Sequence, residues 1–423
     1  MFDTPSLERA LQMGTGKAIR ILKKNSHHNL DHLILEACLS NQAYDPQSEP
    51  DRSQYLKTVI QLAQDSDAIE EAVIDALSQA QEDDWDTHQL VTLVTCFAQN
   101  GNKRAKDALY QRYTKPLTDP SFSFLETDAL VILDGLKGLE ICANTLGQLL
   151  EQDTDFWVDD SLISVFETSP TKEDTLQYLE RHAQSDRFIK RYLTNVKEHL
   201  EKQQKPRALI NWSYEMISQH LSQGKSLSLS IGKSLSFDVL QKLANDFKSE
   251  TDEKSQLAYL KIFFKAPYPG APSDMIPLLE HNNERMVHFA IRALAQLEHP
   301  QIKKYLEEAS LHTLKNKVPL FIQNGVENAP KTFEAIIPFL DDEDETHRFI
   351  SDVVKVLKRK AYTDSKVLLI QLYELSHCSV CRFDLLKLLH ELTGLPKTVV
   401  DEAIYDCHPD SVALASTYLS ENH

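Results

Sequence analysis

Glycine is scarce in this chain, at 11 of 423 residues. So few glycines disfavour a hairpin-rich β fold, whose tight turns need positive φ, and disfavour phosphate-cradling Gly-rich loops. The six cysteines (Cys38, Cys96, Cys142, Cys378, Cys381 and Cys407) are too few and too scattered for a disulfide framework, and most are expected to pack as small buried thiols. No run approaches the 18 or so apolar residues of a membrane span. The opening Met1-Phe2-Asp3-Thr4-Pro5 lacks the basic and apolar regions of a secretory signal, so a cytoplasmic location is expected. Positive charge is also short: 45 Lys and Arg stand against 63 Asp and Glu, a net charge of −18. Such a surface repels nucleic acid and anionic membranes in general, and favours solubility.

What is present is helical periodicity. Ile69, Ala72, Val73, Ala76, Leu77 and Ala80 share one helix face, with Asp67 placed to cap it. The spacing recurs at Leu30, Leu33, Ile34, Ala37 and Cys38, at Leu90, Leu93, Val94, Phe97 and Ala98, at Ile350, Val353, Val354 and Leu357, and at Leu385, Leu388, Leu389 and Leu392. A helix with one apolar stripe cannot bury it alone and needs neighbours. Connections follow helix grammar: Asn100-Gly101-Asn102, Gly394-Leu395-Pro396, and Pro50 and Pro409 as first-turn residues. The pattern predicts an all-α chain of roughly two dozen helices. Gln223 to Ser234 departs from it, because Leu227, Leu229 and Ile231 alternate with serine. It reads as a loop or short extended linker. The expected organisation is helical repeats over 1–222, a linker over 223–235, and a second set of repeats over 236–423, whose first helix Ser236 would cap.

Asp274 to Glu280, then His281 to Glu284, then Arg285 to Leu294 read as two helices around a short polar turn. With Leu278-Leu279-Glu280 closing the first and Ala290 and Ala293 on the second, this stretch resembles the HEAT-repeat family. Ile337 to Asp341 leading into Ile350 to Leu357, and Ala403 to Asp406 leading into Val412 to Leu419, echo it, although His288 and Val412 stand where members often carry Arg. The likeness is clearest over 236–423 and is one of pattern over 1–222. It implies a right-handed HEAT-like α–α superhelix with a concave face, most of whose relatives bind proteins.

Each motif that could carry chemistry has a plainer reading beside it. Gly224-Lys225-Ser226 and Gly232-Lys233-Ser234 lack the earlier glycine and the strand–helix setting of a phosphate loop. Cys378-Ser379-Val380-Cys381 has the spacing of half a zinc site, with no second pair, and is a metal candidate. His28, His32 and Glu36 fall on one helix face at i, i+4 and i+8. Tyr44, Asp45, Arg52 and Tyr55 belong to a dense polar-aromatic loop that could bind a partner or simply make turns. Arg187, Lys190, Arg191 and Lys197 form a basic stripe, followed by Lys202, Lys205 and Arg207, suited to an acidic partner or to solvent. The acidic run Asp341 to Glu345 suits a helix N-terminus.

These features favour a protein-interaction scaffold that binds a protein or peptide partner on a concave face, without cofactor or catalytic residues. A homo-oligomer is compatible with it. The alternatives are a structural subunit of a larger assembly, or an enzyme on a HEAT-like scaffold, of the DNA alkylpurine glycosylase or bilin lyase kind. Trp85, Trp157 and Trp212, near acids such as Asp86 and Asp155, are the hints toward the glycosylase, and core or cap roles are the plainer expectation for them.

Overall fold

The apolar stripes are the faces the helices bury. In a computed structural model of the chain, the described residues are 4–81, 84–117, 124–153, 155–165, 172–204 and 211–421, and among them there are helices and connections but no strand. The chain is all-α. Ile69, Val73 and Leu77 lie inside on the helix Ser66–Gln79, and Leu90, Leu93, Val94 and Phe97 on Trp85–Gln99. Among the described residues, no helix is long and apolar enough to cross a membrane.

Capping side chains set where helices begin. Asn102 accepts from the Ala105 amide, Ser236 from Val239 and Asp342 from Glu345, each satisfying an orphan N–H of a first turn. Gly101, at φ +93°, makes the reversal between Trp85–Gln99 and Lys103–Tyr113 that a side chain would resist. Other expectations are corrected. Asp65, not Asp67, caps Ser66–Gln79, accepting from Ala68, which leaves Asp67 in the first turn. Pro50 does not open a helix; the next one starts at Ser53, whose amide and hydroxyl bond to Asp51. His28 precedes the helix Asp31–Leu39, so the three-residue face with His32 and Glu36 does not form. The alternating segment after Gln223 is not extended throughout: Ile231–Ser234 is a 3-10 turn, with Leu227 and Ile231 buried.

The chain divides into two compact units, Met1–Arg207 with Val400–His423, and Ala208–Val399. The segment 223–235 therefore falls inside the second unit. In the first, helices pack on neighbours one to three places along the chain. Asp31–Leu39 meets both Ser66–Gln79 and Trp85–Gln99, Ser66–Gln79 meets both Trp85–Gln99 and Lys103–Tyr113, and Trp85–Gln99 meets both Lys103–Tyr113 and Thr127–Asp134. Arg112 ties three of these together. Only 3% of its side chain is exposed, and it pairs with the fully buried Glu126 through Nε at 2.5 Å. Its Nη1 donates to the Leu77 and Ala80 carbonyls at the end of Ser66–Gln79.

Residues 400–423 complete this unit from the far end of the chain. The Cys407 amide donates to the Gly14 carbonyl at 2.8 Å, and Cys407 joins the core that contains Leu7, Leu11 and Ile19. A Cβ on Gly16 would lie 2.0 Å from the Glu402 carbonyl oxygen, so only glycine permits this approach. Lys23 donates to the Tyr405 hydroxyl at 3.1 Å and lies 4.3 Å from its ring centre.

In the second unit, Asp274 to Glu280 forms two 3-10 turns, Pro272–Asp274 and Ile276–Glu280, rather than one α-helix. Pro277, which has no N–H to give, sits inside the stretch. The following helix, Glu284–Leu294, buries Met286, Ala290, Ala293 and Leu294 as its pattern requires. Glu343–Arg359 and Lys366–Leu375 both pack against Ser379–Thr393. The acidic run also does more than cap: the buried Lys315 reaches Asp341 at 2.7 Å, Glu345 at 2.9 Å and the Phe339 carbonyl at 3.2 Å.

Candidate functional site

The polar-aromatic loop turns inward. Arg52 is buried, donates to the Gln12 carbonyl at 2.7 Å and pairs with Glu49 at 3.8 Å. Tyr55 is buried and donates to the Thr15 carbonyl. Asp45 holds the turn, its side chain accepting from Gln47 and its amide donating to Glu49, with Tyr44 half-buried beside it. These contacts seat the loop on the first helices of the unit.

The basic stripe lies on the helix Arg187–Gln204 and is partly neutralised. Arg187 is 3.5 Å from Glu151 and covers the Phe188 ring, and Lys197 is 2.6 Å from Glu180. Lys190, Arg191 and Lys202 are exposed on the same helix, whereas Lys205 and Arg207 lie outside the described residues.

Against this helix rests an aromatic and acidic corner. The Val158 amide donates to Asn195 and the Val158 side chain is buried, which fixes the alternation around it: Asp155 and Trp157 face out, Phe156 and Val158 in. Trp157 is 67% exposed and stacks on His199 at 6.4 Å and 16°. Phe124, 47% exposed, meets Phe156 edge-on at 6.2 Å. Asp153, Asp155, Asp159 and Asp160 flank the tryptophan. Hydrogen bonds from Ser161 hold the Asp159 carboxyl below its usual range, so it stays ionised at neutral pH. The expected core or cap role does not fit Trp157, nor Trp85, which is 46% exposed; Trp212 is half-buried edge-on to His220.

In the other unit, Cys378 and Cys381 meet a residue that spacing could not supply. His347, from the first half of Glu343–Arg359, brings Nδ1 to 3.5 Å from Cys381 Sγ. Cys378 stands at the N-cap of Ser379–Thr393, where its sulfur accepts from the Cys381 amide at 3.5 Å. Arg382, wholly buried, donates to the Ser376 and His377 carbonyls behind this turn, and His377 lies 2.9 Å from Glu343. Burial pushes the Cys38 and Cys142 thiols up to about 12, so they remain protonated packing groups.

No protein-family model matches the chain, and comparison with curated proteins and with solved structures returns no significant match to either.

Proposed function

We propose that the chain is a helical-repeat scaffold without catalytic chemistry, which docks a basic segment of a protein partner on the Trp157 corner. The observation that carries this reading is a large exposed indole with Asp153, Asp155, Asp159 and Asp160 close to it in the chain. An indole face attracts a guanidinium or ammonium group by about 0.5–2 kcal/mol. Aromatic anchors also dominate interface energetics, and exposed ones rimmed by polar residues mark contact sites. Carboxylates close to it in the chain add charge complementarity, which raises the on-rate and makes binding salt-sensitive. Packing of helices on neighbours one to three places along the chain supports a repeat stack, the finer HEAT-like superhelix being part of this proposal. The acidic balance weighs against the glycosylase alternative.

Incorporating p-benzoylphenylalanine at position 157 and irradiating in lysate of the source cells tests this. The expected result is a crosslink, mapped by mass spectrometry, to one Arg- or Lys-rich segment of a single protein. It should fade at high salt and with the Asp155→Asn and Asp160→Asn changes. Crosslinks confined to the chain itself, or spread over unrelated neutral peptides, would discard the docking site.

A further inference from the structure

We propose that His347, Cys378 and Cys381 bind a zinc ion. The three donor atoms lie within 4.8 Å of one another, although His347 comes from a different helix. Ligand geometry gives a sharper comparison. With Zn–S at about 2.3 Å and Zn–N at about 2.05 Å, a tetrahedral centre sets sulfur and nitrogen about 3.6 Å apart and two sulfurs about 3.8 Å apart. Cys381 Sγ and His347 Nδ1 are already 3.5 Å apart.

The chemistry of the surroundings suits a metal thiolate. The Cys381 amide points at Cys378 Sγ, and the same sulfur sits at a helix N-terminus, where the dipole favours negative charge. Two thiolates would balance the charge of Zn²⁺, which matters where Cys378 is 4% and Cys381 8% exposed. The support is independent of the metal. Arg382 fixes the carbonyls of residues 376 and 377, and the Glu343–His377 contact draws that turn onto the helix that carries His347. Such outer contacts hold ligands in place before the ion arrives. Cys378 and Cys381 are buried and His347 is half-buried. Cysteine thiolate and histidine nitrogen are donors zinc accepts readily.

The test uses the full chain, reduced, stripped with chelator and titrated with Co²⁺ and then Zn²⁺. One equivalent of Co²⁺ should give the intense visible bands of a tetrahedral site and a thiolate-to-cobalt charge-transfer band, both displaced by one Zn²⁺. Cys378→Ser and Cys381→Ser should abolish the charge-transfer band or halve it, and His347→Ala should weaken zinc binding by at least about a hundredfold. Circular dichroism of the variants shows whether they remain folded. The wild-type titration stands even if they do not: a reduced, folded wild-type chain that gives no cobalt spectrum and takes up no zinc overturns the site. So does a cobalt spectrum unchanged in folded Cys378→Ser and Cys381→Ser.

Discussion

Replacing Arg112 by methionine is expected to destabilise the first unit by about 3–5 kcal/mol, the usual cost of stranding a buried charge. The side chain lost pairs with Glu126, which is wholly buried, and donates to the Leu77 and Ala80 carbonyls. Removing it leaves a carboxylate without its cation and two carbonyls without a donor. The double change Arg112→Met with Glu126→Leu removes the stranded charge and should recover most of the loss, leaving about 1–2 kcal/mol for the carbonyls. Urea denaturation of the Trp212→Phe background reads this directly, because Trp85 and Trp157 then report the first unit alone. Equal losses in the single and double variants would mean that the ion pair contributes little.

Ending the chain after Val399 should lower the stability of the first unit on the order of 4 kcal/mol, roughly 10 °C in Tm. That truncation removes Cys407 from the core, the amide bond to Gly14 and the cover that residues around Glu402 provide over Gly16. The point change Gly16→Val should move the same transition in the same direction, because its side chain would collide with the Glu402 carbonyl. In the Trp85→Phe, Trp157→Phe background, Trp212 reports the second unit, whose transition should stay where it is. A first-unit transition unmoved by both changes would show that the C-terminal segment is only an appendage.

The fold class was legible because it rests on local chemistry. The stripes at Ile69, Val73 and Leu77 and at Leu90, Leu93 and Val94, and the caps Asn102, Ser236 and Asp342, need only the nearest few residues to act. Errors of a few residues came from rival local choices. Asp65 and Asp67 can both cap, and Pro277 shifts a helix-like stretch into 3-10 turns. Long-range pairings left less trace. Cys378 and Cys381 announced half a site, but nothing around His347 marks it as the partner, and nothing in Arg112 or Glu126 announces their union inside the core. Trp157 was visible as an indole among acids, yet its exposure depends on Val158 being the residue drawn inward, which sequence alone does not decide.

The contact between residues 400–423 and the first helices has a consequence for synthesis. A ribosome delivers the second unit, Ala208–Val399, whole before it delivers the last piece of the first. The order of completion is thus reversed from the order of appearance: the unit that begins first is finished last. Until Cys407 and its neighbours emerge, the surface around Gly14 and Gly16 waits uncovered, and a chain stalled or clipped before that point presents it to quality control.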